Sequence, residues 1–79
     1  MRARVYVTLK PSVFDPQGRV VADALLSLGY DDVKDVRQGK FFEVELDAAD
    51  PVAAKARVTE MADKLLANPV IESYRVEVL

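Results

Sequence analysis

The residue types that carry most enzyme chemistry are missing from this sequence. Its 79 residues include no cysteine and no histidine, so the strongest common nucleophile and the commonest general base are both absent. Ser12, Ser27 and Ser73 therefore have no imidazole to activate them. We predict that this chain has no catalytic residue and no enzymatic activity alone.

Carboxylates are plentiful, but their spacing does not indicate a metal site. Asp31, Asp32 and Asp35 form the densest acidic cluster, which does not match the spacing of a calcium-binding loop. Zinc and related metals prefer cysteine and histidine ligands, which the chain lacks. We interpret the cluster as a solvated loop and expect no metal or cofactor in this chain.

Phosphate-binding motifs are also absent. Gly18 and Gly39 are isolated, so neither a dinucleotide-binding glycine pattern nor a P-loop can be assembled. Residues 11–18 lead into a predicted helix N-terminus, a position that can receive an anion. Small phosphatases with a related fold use an arginine in this segment. Residues 11–18 contain none, so we do not expect a phosphatase of that kind.

The charge disfavours a nucleic-acid-binding protein, and the hydropathy disfavours a membrane-spanning one. The formal net charge is −2 and the pI is near 5.0, whereas nucleic-acid-binding domains usually carry a basic excess. No apolar run approaches the roughly 20 residues that a membrane span requires. Residues 1–5 continue directly into a strand pattern, so we expect no signal peptide and a cytoplasmic protein.

The first half of the chain has the pattern of a strand followed by a helix. Residues 4–9 alternate between apolar and polar side chains, which predicts a strand with two different faces. Asp15-Pro16 is a typical helix start and Gly29 a typical helix end. The apolar stripe of this predicted helix consists of Val21, Ala24, Leu25 and Leu28.

The second half repeats the Asp-Pro helix start. A weaker strand is predicted over residues 33–38, a turn at Gly39 and a clear strand over residues 41–46. Asp50-Pro51 starts a second helix that Asn68-Pro69 ends, and Tyr74 begins a final alternating strand. The second apolar stripe consists of Ala54, Val58, Met61, Ala62 and Leu65, and Glu60 and Lys64 are spaced for an ion pair.

The predicted order β-α-β-β-α-β is that of the ferredoxin-like α+β fold. It implies one domain over residues 1–79, with a four-stranded antiparallel sheet whose first and third strands are central. Both helices would then cover one face. Because so short a chain buries a limited core and has no disulfide or metal, we also expect it to self-associate.

The sheet face that the helices leave uncovered is the predicted interaction surface. It would present Tyr6 and Thr8 from one central strand and Phe41 and Glu43 from the other. Aromatic residues among charges of both signs are typical of protein–protein interfaces. RNA-recognition modules stack bases on a similar face, but Glu43 and Glu45 would repel phosphates.

Several segments resemble the PurS family, the small subunit of phosphoribosylformylglycinamidine synthase. The most specific are residues 5–11 (VYVTLKP) and 15–18 (DPQG). Further matches are residues 28–30, 36–40 and 65–72, so the resemblance extends along essentially the whole chain.

The resemblance implies a role in purine biosynthesis. In this family a glutaminase, PurQ, releases ammonia from glutamine. A synthetase, PurL, uses ATP and magnesium to convert formylglycinamide ribonucleotide to formylglycinamidine ribonucleotide. The small subunit would be a dimeric or tetrameric adaptor between them, within an ATP-dependent C–N ligase. The interface residues predicted here are Tyr6, Thr8, Phe41 and Glu43, with Arg37 and Lys40 at the hairpin.

Two alternatives from other classes share the same element order. One is a small-ligand sensor similar to the ACT domains, which bind amino acids between paired domains. The other is an RNA-binding module.

Overall fold

Strand β1 (Arg2–Leu9) is the centre of a three-stranded antiparallel sheet. The computed structural model describes all residues, 1–79. It places β2 (Gly39–Glu45) on one side of β1 and β3 (Glu72–Val78) on the other. Val5 lies opposite Phe42 on β2 and Val76 on β3. The predicted alternation of β1 is confirmed, because Ala3, Val5 and Val7 are fully buried on one face.

Helix α2 (Pro51–Met61) covers that buried face. Asp50 caps its first turn by accepting a hydrogen bond from the backbone N–H of Ala53 at 2.8 Å, as the Asp-Pro start predicts. Ala54 and Val58 are completely buried, and the helix packs mainly on β3 and β1. The small alanine and valine side chains allow close approach of helix and sheet, which gives a thin core.

The end of this helix departs from the predicted pattern. Residues Ala62–Leu66 form a π-helical turn, in which the N–H of Ala67 donates to the carbonyl oxygen of Ala62 at 2.9 Å. The wider turn rotates the side chains that follow. The prediction that Leu65 belongs to the apolar stripe is therefore wrong. Leu65 is 83% exposed, and Leu66 packs against the core in its place.

The predicted fourth strand, residues 33–38, does not form. This segment has no place in the sheet, so β1 alone is central and β2 is an edge strand. The N–H of Gln38 donates to Oδ2 of Asp15 at 2.7 Å instead of to a neighbouring strand. A backbone donor used in this way is lost to a sheet ladder, which explains why the weak strand pattern is overridden.

Helix α1 (Pro16–Ser27) does not cover the sheet, contrary to prediction. It contributes nothing to the apolar core cluster, and its buried residues are Gly18 and Ala22. We call residues 16–38, comprising α1 and the segment that returns along it, the arm. Of the predicted stripe, Val21 is 40% exposed and Leu28 is 74% exposed.

The arm makes the molecule elongated. Its principal extents are 49 × 25 × 14 Å and its radius of gyration is 15.8 Å. A compact domain of this length would have a radius of gyration of about 12 Å. Gly29 closes α1 with φ near +100°, as its position in the sequence predicts, and the chain then turns back toward β2.

Asp15 and Arg37 fix the base of the arm. Asp15 is only 6% exposed, and its carboxylate caps α1 at the N–H of Gly18 (2.9 Å) while also holding Gln38. Arg37 donates to the carbonyl oxygens of Lys10 and Val13, both at 2.9 Å. The hydrogen bond from Gln38, followed by that from Gly18, lowers the pKa of Asp15 below its ordinary value.

Gly18 permits close contact between α1 and the returning segment. A Cβ at this position would overlap the backbone carbonyl oxygen of Val36. We expect Gly18→Ala to lower Tm, although alanine favours a helix over glycine by about 1 kcal/mol. The matched control is Gln17→Ala at the neighbouring exposed position, which should leave Tm unchanged or slightly higher. A rise in Tm for Gly18→Ala would contradict the contact.

Asparagine at position 15 should separate the two roles of this carboxylate. Asp15→Asn keeps an acceptor for Gly18 but turns an NH2 group toward the N–H of Gln38, so Tm should fall by several degrees at neutral pH. Because folding lowers the pKa of Asp15, its stabilisation is complete above the ordinary value of 3.8 and disappears as pH falls through the folded value. The difference in Tm between wild type and Asp15→Asn should therefore narrow below about pH 4.

Asp50→Asn is the matched control, because the Asp50 carboxylate accepts a single cap bond, from Ala53, and asparagine caps about as well as aspartate. Its Tm should stay close to that of wild type. If the Asp15→Asn difference were the same at about pH 3 as at neutral pH, the charged carboxylate would not be the stabilising form.

Candidate interaction surface

The sheet face opposite α2 is uncovered. We call it the open face. The register places Tyr6 of β1 between Phe41 of β2 and Arg75 of β3. The side chains of this face are those of Arg2, Arg4, Tyr6, Thr8, Phe41, Glu43, Glu45, Ser73, Arg75 and Glu77.

Aromatic stacking orders the middle of the open face. The ring centroids of Tyr6 and Phe41 are 5.3 Å apart, with the ring planes tilted by 35°. The guanidinium carbon of Arg75 lies 4.2 Å from the centroid of the Tyr6 ring, a cation–π arrangement. Tyr6 is thereby held between two neighbours, while Phe41 remains 55% exposed. The middle of the open face is therefore an exposed apolar surface whose side chains are already held in place.

Charges surround the aromatic pair and balance one another. Arg4 lies between Glu43, at 3.5 Å, and Glu77, at 3.7 Å. Arg2 pairs with Glu45 at 3.6 Å. With Arg75, three arginines face three glutamates, so the open face has no net charge. A surface that binds a phosphate backbone needs a positive excess, and this one has none.

The structure brings four of the six predicted interface residues together. Tyr6, Thr8, Phe41 and Glu43 share the open face, as the alternation predicts. Their role as an interface stays a prediction.

The two hairpin residues lie elsewhere. Lys40 pairs with Val7 in the register and therefore points to the inner face of the sheet. Its Nζ is 3.5 Å from a carboxylate oxygen of Glu72. The guanidinium of Arg37 is engaged with backbone carbonyls at the base of the arm. Arg37 thus has a structural role that its charge and position in the sequence do not reveal.

Sequence reasoning missed two features of the surface. The contact of Arg75 with Tyr6, which the β1–β3 register creates, was not predicted from the sequence. The predicted apolar stripe of α1 was also assigned to the core, although its Val21 and Leu28 are exposed. A stripe that faces a partner has the same helical period as one that faces a core, so the period alone could not distinguish them.

The open face holds no pair of groups arranged for bond making. On β3, the side chain with a shifted pKa is that of Tyr74, which lies on the inner face of the sheet. Its hydroxyl donates to Oδ1 of Asp63 at 2.7 Å, and this bond raises the pKa of Tyr74. The contact ties β3 to the π-helical turn.

None of the helices has the length and apolar character to cross a membrane.

Comparisons with known proteins agree on one family. The family model PurS, phosphoribosylformylglycinamidine (FGAM) synthase, matches residues 2–79. The PurS subunit of Synechocystis is 51% identical over 75 residues, which cover 95% of this chain and 75% of the relative. The structure of Bacillus subtilis PurS superposes with a TM-score of 0.84 at 50% identity, covering 96% of this chain and 94% of that one.

A complex is among the similar structures. A chain in the PurLQS structure from Thermotoga maritima superposes with a TM-score of 0.90 at 31% identity. The match covers 99% of this chain and 95% of the other. The likeness therefore extends over the arm as well as the sheet.

Proposed function

Because the chain belongs to the PurS family of FGAM synthase, we propose that it is the non-catalytic adaptor subunit of that enzyme in purine biosynthesis. The observation that carries the proposal is a match along the whole chain combined with an ordered surface that has no reactive groups. Such a subunit acts by positioning other subunits.

The partners in this proposal are a PurL synthetase, a PurQ glutaminase and further copies of this chain. The relative in the PurLQS structure is the precedent. Ammonia released from glutamine by the glutaminase would reach the synthetase, which converts formylglycinamide ribonucleotide to formylglycinamidine ribonucleotide. ATP and magnesium are assigned to the synthetase, since this chain offers no phosphate-binding motif.

The open face is the proposed docking surface for the larger subunits. Tyr6 is already held by Phe41 and Arg75, so docking there would cost little side-chain entropy. Aromatic residues near the centre of an interface commonly carry much of its binding energy. The surrounding ion pairs would form a polar rim.

Neither alternative function is favoured. A neutral face with Glu43, Glu45 and Glu77 does not fit single-stranded RNA. The match to the PurS family covers residues 2–79, and no feature of the chain remains that an amino-acid sensor would be needed to explain.

Reconstitution tests the adaptor role. Mixing this chain with its PurL and PurQ should restore glutamine-dependent synthesis of formylglycinamidine ribonucleotide. With ammonium ion supplied in place of glutamine, the synthetase should need the chain much less, because no transfer between subunits is required. Full glutamine-dependent activity without the chain would show that the adaptor role is wrong.

Phe41→Ala tests the docking surface. Phe41 is 55% exposed, so its loss should cost less than about 1 kcal/mol of stability. Loss of an interface aromatic typically weakens binding by 1–3 kcal/mol, or about 5- to 150-fold. We therefore expect the concentration of chain that gives half-maximal glutamine-dependent activity to rise by at least about fivefold.

The control is Leu65→Ala, which removes an exposed apolar side chain from the helical side, where Leu65 is 83% exposed. It should leave that concentration unchanged. If the two substitutions had equal effects on that concentration, the open face would not be the docking surface.

A further inference from the structure

The outer edge of β3 is not covered by any part of this chain, because β3 is the last strand on its side of the sheet. Ile71 and Leu79 form backbone hydrogen bonds with Lys10 and Arg2 of the β1 chain segment, at 2.8 and 3.0 Å. Residues that bond to one neighbour alternate along an antiparallel strand with residues that face away from it. The residues whose backbone N–H and C=O groups point outward are therefore 74, 76 and 78.

Strand β3 lacks the features that usually keep an exposed edge from pairing. Its sequence, ESYRVEV, contains neither proline nor lysine. Its register with β1 runs from Glu72 to Val78 without a bulge. Natural proteins commonly use such features to block a free edge, so this edge is open to an added strand.

A groove of about 530 Å³ lies beside this edge on the inner side of the sheet. Val76 and Val78 line it on β3, together with one flank of α2. The residues of that flank are Pro51, Val52, Lys55, Ala56 and Thr59. Val52 is 81% exposed, so apolar area on both elements is available to the inner-face side chains of an added strand.

A second copy of β3 fits the edge in one antiparallel register. A twofold axis at Val76 pairs residue 76 with itself and residue 74 with residue 78 of the other copy, so all three outward residues exchange hydrogen bonds. An axis at Arg75 would use Glu72, whose N–H already donates to the carbonyl oxygen of Asn68 at 2.7 Å. An axis at Glu77 would place residue 74 beyond the end of the other β3, at residue 78.

The charges on the open face favour the same register. With the axis at Val76, Arg75 of each copy lies opposite Glu77 of the other, in a non-hydrogen-bonded pair, where facing side chains are closest. An axis at Arg75 would oppose two guanidinium groups and an axis at Glu77 two carboxylates, and like charges directly opposite are destabilising. Within one chain the contact between Arg75 and Glu77 is long, at 3.8 Å. Hydrogen bonding and charge therefore agree on one partner, a second β3.

We propose that two copies of this chain join their sheets edge to edge through β3, with a twofold axis at Val76. The product is a continuous six-stranded antiparallel sheet of order β2-β1-β3-β3-β1-β2. Val76 and Val78 of both copies lie together beside the two α2 flanks, and the two open faces become one surface. This pairing gives one mode of the self-association in the proposed function and rests on it.

The absence of cysteine allows disulfide trapping to report the register. Arg75→Cys and Glu77→Cys should be prepared as separate full-length variants, mixed in equal amounts and oxidised mildly at micromolar concentration. Pairing about Val76 predicts a mixed disulfide dimer as the main product, with much less cross-linking in either variant alone. The matched control is Glu45→Cys, on the open face at the other edge of the sheet, which should give little mixed dimer with Arg75→Cys.

Other arrangements give different products. Cross-linking of Arg75→Cys mainly with itself would place the axis at residue 75, and the same behaviour of Glu77→Cys would place it at residue 77. Equal yields of mixed dimer with Glu77→Cys and with Glu45→Cys would indicate random collision. Absence of any cross-link would mean that β3 does not pair with itself. Each of these results overturns the pairing about Val76.

Charge reversal provides an independent measurement. Arg75→Glu opposes two carboxylates at both ends of the seam, so the dissociation constant of the β3-paired species should rise by at least about tenfold in analytical ultracentrifugation. Adding Glu77→Arg to the same chain restores opposite charges across the seam and should bring the constant back to within about threefold of wild type. Arg2→Glu, which makes the same change of net charge at the β2 side of the open face, should leave it unchanged.

Recovery in the double variant separates the seam from the contact of Arg75 with Tyr6. The double variant still lacks that cation–π contact, so recovery would show that the charge facing the other copy is decisive. A double variant that dissociates as readily as Arg75→Glu would overturn the pairing.

Failure of this pairing and failure of the adaptor role are distinguishable. A chain that restores glutamine-dependent synthesis but gives no mixed disulfide overturns the edge pairing and leaves the adaptor role intact. Glutamine-dependent synthesis that proceeds fully without the chain overturns the adaptor role, whatever the cross-linking result.

Discussion

The carboxylate of Asp15 is the contact on which the shape of this molecule depends. One oxygen caps α1 and the other holds the N–H of Gln38, so a single side chain fixes both ends of the arm where they leave the sheet. The N–H of Gln38, at the end of the segment predicted to form a fourth strand, is occupied by this contact. The result is a small protein with a three-stranded sheet and a long projection.

As a result of this arrangement, different surfaces of the chain have different roles. Strand β1 gives one face to the core, through Ala3, Val5 and Val7, and its other face to the open surface. The arm gives little to the core and presents apolar area to the outside. A chain with ten buried residues among 79 has a thin margin of stability, and association would add to it.

Local structure could be predicted from the sequence wherever it depends on residues that are only a few positions apart. Both Asp-Pro helix starts, the turn at Gly29, the Glu60–Lys64 pair at 2.7 Å and the two faces of β1 were predicted correctly. Tyr6 and Phe41 were predicted to lie together on the open face, and their rings are 5.3 Å apart. Each depends on hydrogen bonds or alternation within a short segment.

The errors arise where a distant contact decides the outcome. Residues 33–38 contain only two apolar residues, Val33 and Val36, and so have a weak strand pattern; Asp15 takes the N–H of Gln38 from 23 positions away. The π-helical turn moves Leu65 out of the core, and helical periodicity gives no warning of it. The placement of α1 could not be predicted because an apolar stripe does not specify whether a core or a partner covers it.

The charge balance of the open face has a kinetic consequence. Arg2 and Arg4 are each paired with glutamate on the same surface, so the face projects little field into solvent. Encounters with a partner there would proceed without electrostatic steering, at the 10⁵–10⁶ M⁻¹s⁻¹ typical of neutral surfaces, and would vary only slightly with ionic strength. A complex built on such a face persists through slow dissociation, and its subunits meet at ordinary diffusional rates.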